Sequence, residues 1–257
     1  MNFHELEHKE MYATREADSS WINIVTTLMN QPASRIRAAD IGCGGGIYAK
    51  ALAEMGIPTV IGIDFSDVML TAAKQNCQNY SQLSFKKGNA YSTGLQESSV
   101  DLVLQRALIH HLKDLPACFR EAYRILQKDG VYLIQDRTIS DCLRDGDTKH
   151  IRGWLYSLFP RLINYEEKRR FSSDVIINSL KDAGFKDIEE LQLKETRKIY
   201  PSKELLFTDI RRRNGKSILY QLSDQEIEKF ISYLNTILKT AGEITEVDYW
   251  TIWKAVK

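Results

Sequence analysis

The sequence has 257 residues, of which 43% are hydrophobic and 27% are charged, so it is long enough to form a globular protein with a sizeable core. Its formal net charge of +1 gives no indication of nucleic-acid or membrane binding. The polar amino terminus lacks the apolar run of a signal peptide, and no segment has the length of a transmembrane helix. The cysteines show no metal-ligand spacing. We therefore expect a cytoplasmic protein.

Short apolar runs alternate with amphipathic segments over the first half of the chain, a pattern that predicts βα units and a mainly parallel sheet. Asp18 and Ser19 precede a segment with one apolar face and predict the start of the first helix. Five strands are predicted in chain order, one ending near residue 41 and the others over 58–64, 83–89, 100–105 and 130–135. Pro116 suits the first turn of the helix before the fifth strand.

The regular alternation ends after residue 138. Residues 139–171 contain aromatic and charged side chains without clear strand signals, and residues 203–241 are predicted to be mostly helical. Between them, a helix over 173–183 is expected to end at Gly184, because glycine readily takes the left-handed C-cap conformation. Strands at 185–193 and 246–256 bring the predicted sheet to seven strands.

A glycine loop, Asp40-Ile41-Gly42-Cys43-Gly44-Gly45-Gly46, lies at a predicted strand-to-helix turn. Glycines let the backbone turn tightly and let a ligand approach without meeting a Cβ atom. Asp64 ends the next predicted strand, where a carboxylate can accept hydrogen bonds from both hydroxyls of a ribose. The pattern therefore indicates a ligand that contains a nucleoside.

A dinucleotide-binding loop is an alternative interpretation, because Gly44 to Ala49 satisfies a degenerate GxGxxA pattern and Asp64 lies 20 residues beyond Gly44. Three observations disfavour it. Asp40 would repel a pyrophosphate but attract an α-amino group. Asn89 lies at the end of the third predicted strand, where a polar side chain can bind an adenine edge. No tyrosine is followed four residues later by lysine, as a short-chain reductase would need.

Further motifs follow the glycine loop in order. They are Gly62-Ile63-Asp64, Gly88-Asn89-Ala90, Asp101-Leu102-Val103-Leu104-Gln105-Arg106-Ala107-Leu108-Ile109-His110-His111-Leu112 and Leu126-Gln127-Lys128-Asp129-Gly130. The ordered set over residues 35–138 resembles the motifs of class I S-adenosylmethionine-dependent methyltransferases that act on small molecules (methyltransferase-11-like). The run 248–253 resembles the closing strand of the same family.

This resemblance implies an α/β fold with a Rossmann-like, seven-stranded, mainly parallel sheet, helices on both faces, and S-adenosylmethionine as the cofactor. We expect a single domain over residues 1–257. Its sheet core would comprise about 30–138, 172–196 and 244–257. The inserts at about 139–171 and 197–243 would form a helical cap that selects the substrate.

The resemblance also implies a set of cofactor-binding residues: Asp40, Gly42, Cys43, Gly44, Asp64, Phe65, Met69, Asn89, Ala90 and Gln105. In this set the glycines pack against the methionine part and the ribose, and Asp64 binds the ribose hydroxyls. Phe65 and Met69 flank the adenine. Gln105 contacts the methionine backbone. The family more often has aspartate where this chain has Asn89, whose amide oxygen can still accept from the adenine amino group.

His110 and Asp136 are the candidate catalytic residues, because they follow the fourth and fifth strands at the sheet edge where open α/β folds bind ligands. A surface ion pair between Asp136 and Arg137 is an alternative. No metal is expected, since adjacent histidines point in different directions and no third ligand has usable spacing. An amino-terminal segment with Tyr12 and Arg15 often folds over the cofactor in the resembling family.

Three subclasses of methyltransferase are disfavoured, because the chain lacks Asn-Pro-Pro-Tyr after the fourth strand, a Pro-Cys nucleophile and a double-glutamate loop. The expected function is methyl transfer by in-line displacement to a small-molecule acceptor at oxygen, nitrogen or carbon. Two alternatives remain: a tRNA-modifying methyltransferase, which a similar His-His segment suggests and the neutral charge disfavours, and a non-catalytic S-adenosylmethionine-binding protein. The expected partner is thus a small molecule, with no membrane and no nucleic acid.

Overall fold

The computed structural model describes residues 16–239 and 242–257, which form two compact units. The core unit comprises residues 16–136, 171–193 and 251–257, and the insert unit comprises the described residues of 137–170 and 194–250. Both predicted inserts lie mainly in the insert unit, and their role as a cap stays a prediction. Tyr12 and Arg15 lie outside the described residues.

Seven strands form one sheet in the order β3-β2-β1-β4-β5-β7-β6. They are β1 (Arg37–Ile41), β2 (Thr59–Asp64), β3 (Leu83–Lys87), β4 (Val100–Arg106), β5 (Leu126–Asp136), β6 (Lys186–Tyr200) and β7 (Ile244–Val256). Strands β1 to β5 pair in parallel, and β7 pairs antiparallel with β5. The predicted Rossmann-like α/β class is confirmed. The strand order reverses between β1 and β4, which creates a ligand-binding crevice at their carboxyl ends.

The helices in the described residues are α1 (Ser19–Leu28), α2 (Ile47–Glu54), α3 (Asp67–Asn76), α4 (Leu115–Ile125), α5 (Ile139–Cys142), α6 (Gly153–Leu158), α7 (Arg161–Glu167), α8 (Ser173–Asp182), α9 (Lys203–Arg211) and α10 (Asp224–Ile237). Capping side chains determine where several of them begin: Asp18 accepts from Ser20 N before α1, and Ser66 accepts from Met69 N before α3. Within the described part of the chain, no helix meets the length and apolarity needed to cross a bilayer.

Strand β6 extends beyond the predicted 185–193 to Tyr200. Its second half is rich in charged residues and lacks the apolar alternation on which the prediction relied. Ion pairing stabilises it instead, because Arg197 Nη1 lies 2.6 Å from Glu246 Oε2 on β7. Strand β3 is shorter than predicted, since the Asn89 side chain accepts from Tyr91 N and Ser92 N and turns the chain.

Each unit has its own apolar core. In the core unit, Phe119 and Ile125 of α4 pack with β4, β5 and α8. In the insert unit, Leu206, Ile210 and Leu234 pack with residues of α6 and α7. The insert unit also buries three aromatic side chains that the sequence assigned to the cap, Tyr156, Phe159 and Phe207. Burying aromatic rings of this size stabilises the fold strongly, so these three are accounted for by packing.

Candidate cofactor and catalytic site

The loop between β1 and α2 leaves an open cradle beside its backbone. Gly42 and Gly44 have φ angles of +78° and +51°, a region that glycine adopts without strain. A Cβ atom on Gly42 would lie 2.9 Å from Leu108 Cδ1, whereas a Cβ on Gly44 would meet no atom of the described residues within 4 Å. A side chain at Gly42 would therefore have to displace the end of the Leu108 side chain, whereas Gly44 faces space that a ligand can fill.

Asp64 presents its carboxylate at the end of β2, against this loop. Its Oδ2 accepts from Gly44 N and its Oδ1 accepts from Ser66 N, both at 2.9 Å. Burial raises the pKa of this carboxyl, and the backbone N–H groups oppose the rise. Each carboxylate oxygen keeps a second lone pair, so the pair can accept from two vicinal hydroxyls.

Asp40, at the end of β1, is 2% exposed, and its Oδ2 has no hydrogen-bond partner among the described residues. Burial, and then repulsion from Asp64, raise its pKa to about 7. A buried carboxylate oxygen without a donor is costly unless a cation or another donor reaches it. The α-ammonium group of a methionine moiety has the charge and the donors that this oxygen requires.

The expected adenine-binding residues have mixed surroundings. Phe65 is 54% exposed, although its side chain is large and apolar. Met69 and Ala90 are each only 5% exposed. The Asn89 oxygen already accepts from Tyr91 N at 2.8 Å and from Ser92 N at 3.0 Å. This corrects the expectation that the oxygen accepts from the adenine amino group, because both of its lone pairs are used. The amide NH₂ of Asn89 is the part that can bind a ligand.

Gln105 does not offer its side chain to the cleft. It is fully buried and its Oε1 accepts from the Tyr132 hydroxyl at 2.6 Å, while its Nε2 lies 3.2 Å from Cys118 Sγ. Its side chain is therefore not available to the cofactor, and the predicted contact of Gln105 with the methionine backbone stays a prediction for its main chain. Successive side chains of a strand point to opposite faces, so the next residue, Arg106, lies on the other face of β4.

Arg106 is a residue of this site that sequence reasoning missed. Its guanidinium lies 4.0 Å from the centroid of the Tyr48 ring, and its charge acts on Asp40, partly offsetting the rise in that carboxyl's pKa. The strand alternation after Gln105 was the signal that could have found it. Cys43, in the same loop, is buried, and burial followed by the charges of Asp40 and Asp64 raises the pKa of its thiol well above the usual value. It is a neutral packing residue.

His110 and Asp136 lie together at the carboxyl ends of β4 and β5. His110 Nδ1 lies 2.8 Å from Asp136 Oδ2 and 2.9 Å from Oδ1, and the His110 backbone N–H donates to Oδ2 at 3.3 Å. The side chains are 7% and 2% exposed. The alternative of a surface ion pair with Arg137 is wrong, because Asp136 is buried against His110. A carboxylate at Nδ1 holds the proton there and directs the basic lone pair to Nε2.

The described residues contain no group of three or more His, Cys, Asp or Glu side chains that could hold a metal ion. His111, next to His110, is exposed, and the two rings lie with centroids 4.0 Å apart and planes inclined by 43°. The arrangement at the ends of β1, β2, β4 and β5 thus provides two acceptor carboxylates, an open cradle and a histidine–carboxylate pair. These groups suit a cationic nucleoside ligand and a proton-accepting step.

Comparisons with known proteins show what the chain is similar to. A family model described as a methyltransferase domain matches residues 39–134. The chain is 26% identical over 155 residues to a sterol 24-C-methyltransferase of Saccharomyces cerevisiae, covering 57% of this chain and 38% of that protein. It is 30% identical over 112 residues to a demethylmenaquinone methyltransferase of Bacillus licheniformis, covering 43% and 48%. The chain spans less than half the length of these curated relatives.

Solved structures share the fold over most of the chain. A protein of Anabaena variabilis, named as a methyltransferase from an antibiotic biosynthesis pathway, has a TM-score of 0.71 at 26% identity and covers 94% of this chain and 98% of its own. A phosphoethanolamine N-methyltransferase of Haemonchus contortus, in complex with S-adenosylmethionine, has a TM-score of 0.58 at 20% identity, covers 93% and 52%, and shows the fold alone. Its ordered motifs, its sheet and these similarities, of which the family model covers residues 39–134, support a class I S-adenosylmethionine-dependent methyltransferase.

Proposed function

We propose that this chain binds S-adenosylmethionine at the carboxyl ends of β1 and β2 and catalyses methyl transfer to a small-molecule acceptor. The observation that carries the proposal is the Asp40 carboxylate, buried with one oxygen that has no hydrogen-bond partner among the described residues. In this proposal Asp40 binds the α-ammonium group. Asp64, whose Oδ2 accepts from Gly44 N in the glycine loop, binds the ribose hydroxyls. The open side of Gly44 leaves room for the ligand backbone.

The bound sulfonium supplies an activated methyl group and a neutral leaving group, so the protein has mainly to align the reactants. His110 accepts a proton from an acceptor that arrives as an alcohol, phenol or ammonium ion. Asp136 keeps His110 in the tautomer whose Nε2 is basic, and it stabilises the imidazolium that forms. An acceptor that arrives deprotonated needs only the alignment.

The names of several relatives bear on the acceptor class. The curated relatives carry names that refer to sterol, menaquinone and ubiquinone biosynthesis, all of which concern small molecules. The insert unit, with its separate core, is our candidate for the part that selects among such acceptors. A small molecule also agrees with the near-neutral charge of the chain.

The proposal is tested by incubating the protein with S-adenosylmethionine labelled in its methyl group and with two acceptor pools, small metabolites and tRNA. We expect the label in the small-molecule fraction, and its loss in Asp64→Ala. The matched control is Asp67→Ala, since Asp67 lies three residues away but is exposed and pairs with Lys87. Label in tRNA alone, or cofactor binding without transfer to either pool, would contradict the acceptor class or the activity, respectively.

A further inference from the structure

The turn that carries His110 is held on both sides by contacts within the core unit. His110 lies in a short 3-10 helix, Ile109–His111, which follows β4. Its backbone N–H donates to Asp136 Oδ2 at 3.3 Å, and the same oxygen lies 2.8 Å from its ring Nδ1. Farther along the turn, the Lys113 N–H donates to the Tyr91 hydroxyl oxygen at 3.1 Å. Asp136 and Tyr91 therefore fix the two ends of this turn.

The second contact stands just before α4, where a helix leaves backbone donors that its own carbonyl groups do not satisfy. Asp114 is the N-cap residue of α4, and its Oδ1 accepts from Ala117 N at 2.9 Å. The N–H of Asp114 itself lies 3.5 Å from the Tyr91 hydroxyl oxygen. The hydroxyl thus ties the His110 turn to the start of a helix that a side-chain cap already fixes.

Tyr91 lies in the loop after β3, beside the candidate cofactor-binding residue Asn89. Asn89 Oδ1 accepts from Tyr91 N at 2.8 Å and from Ser92 N at 3.0 Å. The Asn89 N–H donates to the Ser92 carbonyl at 3.0 Å, so this loop closes on itself. A ligand that binds the amide NH₂ group of Asn89 restrains the same side chain that orients Tyr91.

The hydroxyl contact, more than burial, gives Tyr91 a role in this part of the molecule. The residue is 41% exposed, so packing of its ring stabilises the fold less than a buried tyrosine would. Its oxygen has two lone pairs and faces the N–H groups of two consecutive residues, which defines one position for the turn. A histidine base acts only within hydrogen-bond reach of the proton that it removes, so a displaced turn lowers the rate.

We propose that Tyr91 is a positioning residue for methyl transfer. Its hydroxyl fixes the turn that carries His110, and its link to Asn89 makes the placement of His110 respond to the cofactor. Tyr91 acts through His110 and does not touch the reacting atoms. This inference rests on the proposed function, in which His110 accepts the proton of the methyl acceptor.

Tyr91→Phe tests the inference, because it removes the hydroxyl and keeps the ring. We expect kcat to fall about tenfold. The Kd of S-adenosylhomocysteine and the unfolding midpoint should stay near those of the original chain, since Lys113 and Asp114 are exposed and water can replace the hydroxyl. The matched control is Tyr80→Phe, which removes a hydroxyl that donates to the exposed Glu54 in the same unit and should leave kcat unchanged.

A double-mutant cycle with His110→Gln separates an effect through His110 from a general loss of structure. In His110→Gln no base remains to be positioned, so the added Tyr91→Phe change should lower the residual kcat by less than about twofold. An unchanged kcat in Tyr91→Phe alone would overturn the proposal. The same fold-loss in both backgrounds would overturn it as well, because it would show an effect independent of His110.

Nuclear magnetic resonance of the His110 ring provides a readout that needs no methyl acceptor, with the signal assigned by its absence in His110→Gln. Addition of S-adenosylhomocysteine should shift this signal in the original chain and in Tyr80→Phe, and should shift it less in Tyr91→Phe. Equal shifts in all three proteins would overturn the inference and leave the proposed function standing. If S-adenosylhomocysteine binds but no acceptor pool is methylated, the proposed activity fails, and the His110 signal alone decides whether Tyr91 positions this turn.

Discussion

Asp40 combines burial with an oxygen that has no partner among the described residues, and its chemistry should be visible in the pH dependence of cofactor binding. Its pKa is raised from 3.8 to about 7, so below pH 7 the ligand-free protein carries this group mostly protonated. An α-ammonium group binds the ionised form. Affinity for S-adenosylhomocysteine should therefore rise about tenfold from pH 6 to pH 8 and level off above it. Calorimetry at several pH values measures this, and an equal affinity at pH 6 and pH 8 would contradict it.

The same pKa has the opposite effect on stability without ligand. A carboxyl whose folded pKa is raised binds more protons when folded than when unfolded between pH 4 and pH 7, so its contribution to stability falls as pH rises through that window. Asp40→Asn should abolish the pH dependence of cofactor binding. It should also be more stable than the original chain at pH 8, with a smaller difference near pH 4. Thermal unfolding at the two pH values provides the comparison.

Asp64 has two roles that a single variant exposes together. Asp64→Ala removes the acceptor of the ribose hydroxyls and should weaken cofactor binding by about 2–3 kcal/mol. It also leaves Gly44 N and Ser66 N without their acceptor, so ligand-free stability should fall by about 1–2 kcal/mol. Calorimetry and denaturant unfolding separate the two quantities. Unchanged affinity would show that Asp64 stabilises the loop and does not bind the cofactor.

The His110–Asp136 pair predicts a loss of rate without a loss of cofactor affinity. For an acceptor that arrives protonated, His110→Gln should lower kcat by about 10²–10⁴-fold and remove the rise of rate with pH that a histidine base produces. Asp136→Asn should lower kcat as well, because an amide can hold the wrong tautomer at Nδ1. Steady-state rates over a pH range test this. A change confined to KM would show that the pair only binds the acceptor.

At the scale of elements, the turn from β1 to α2 separates residues needed for folding from residues needed for binding. Gly44→Ala adds a methyl group toward open space and should reduce cofactor affinity. The positive φ of this residue adds a backbone cost of about 1–2 kcal/mol to the free energy of folding. Gly42→Ala places the methyl group against Leu108 and should reduce stability in addition to that backbone cost. Unfolding and binding measurements on both variants compare their stability with their cofactor affinity. Equal losses of stability with no difference in affinity would contradict an open cradle at Gly44.

The sequence predicted these elements best where local chemistry determines them. Asp18 and Ser66 are side chains that cap helices, and the glycine loop contains the residue type that its backbone angles require. Prediction from the sequence failed where contacts between distant residues determine the local structure. The outer half of β6 depends on pairing between Arg197 and Glu246, which are far apart in the chain, and the orientation of Gln105 depends on Tyr132 and Cys118. Neither contact leaves a periodic pattern.

At the scale of the whole molecule, the chain joins a sheet whose carboxyl edge carries the candidate cofactor site to an insert unit with its own core and its own buried charges. The sequence predicted the sheet and the positions of both inserts, because the change from βα alternation to aromatic and charged segments is visible in the chain. It could not predict the buried ion pairs of the insert unit, since Arg137 pairs with Asp248 and Lys216 with Glu246 across distant segments of the chain. Only folding brings them together.

The central claim is that the crevice beside the glycine loop binds S-adenosylmethionine, and direct calorimetry of the purified chain tests it most simply. We expect S-adenosylmethionine and S-adenosylhomocysteine to bind with Kd at or below about 1 μM, or ~8 kcal/mol, and NADP to bind far more weakly. The loss of this binding in Asp40→Ala, at pH 8, would tie it to the buried carboxylate. Tighter binding of NADP than of either sulfur ligand would contradict the account.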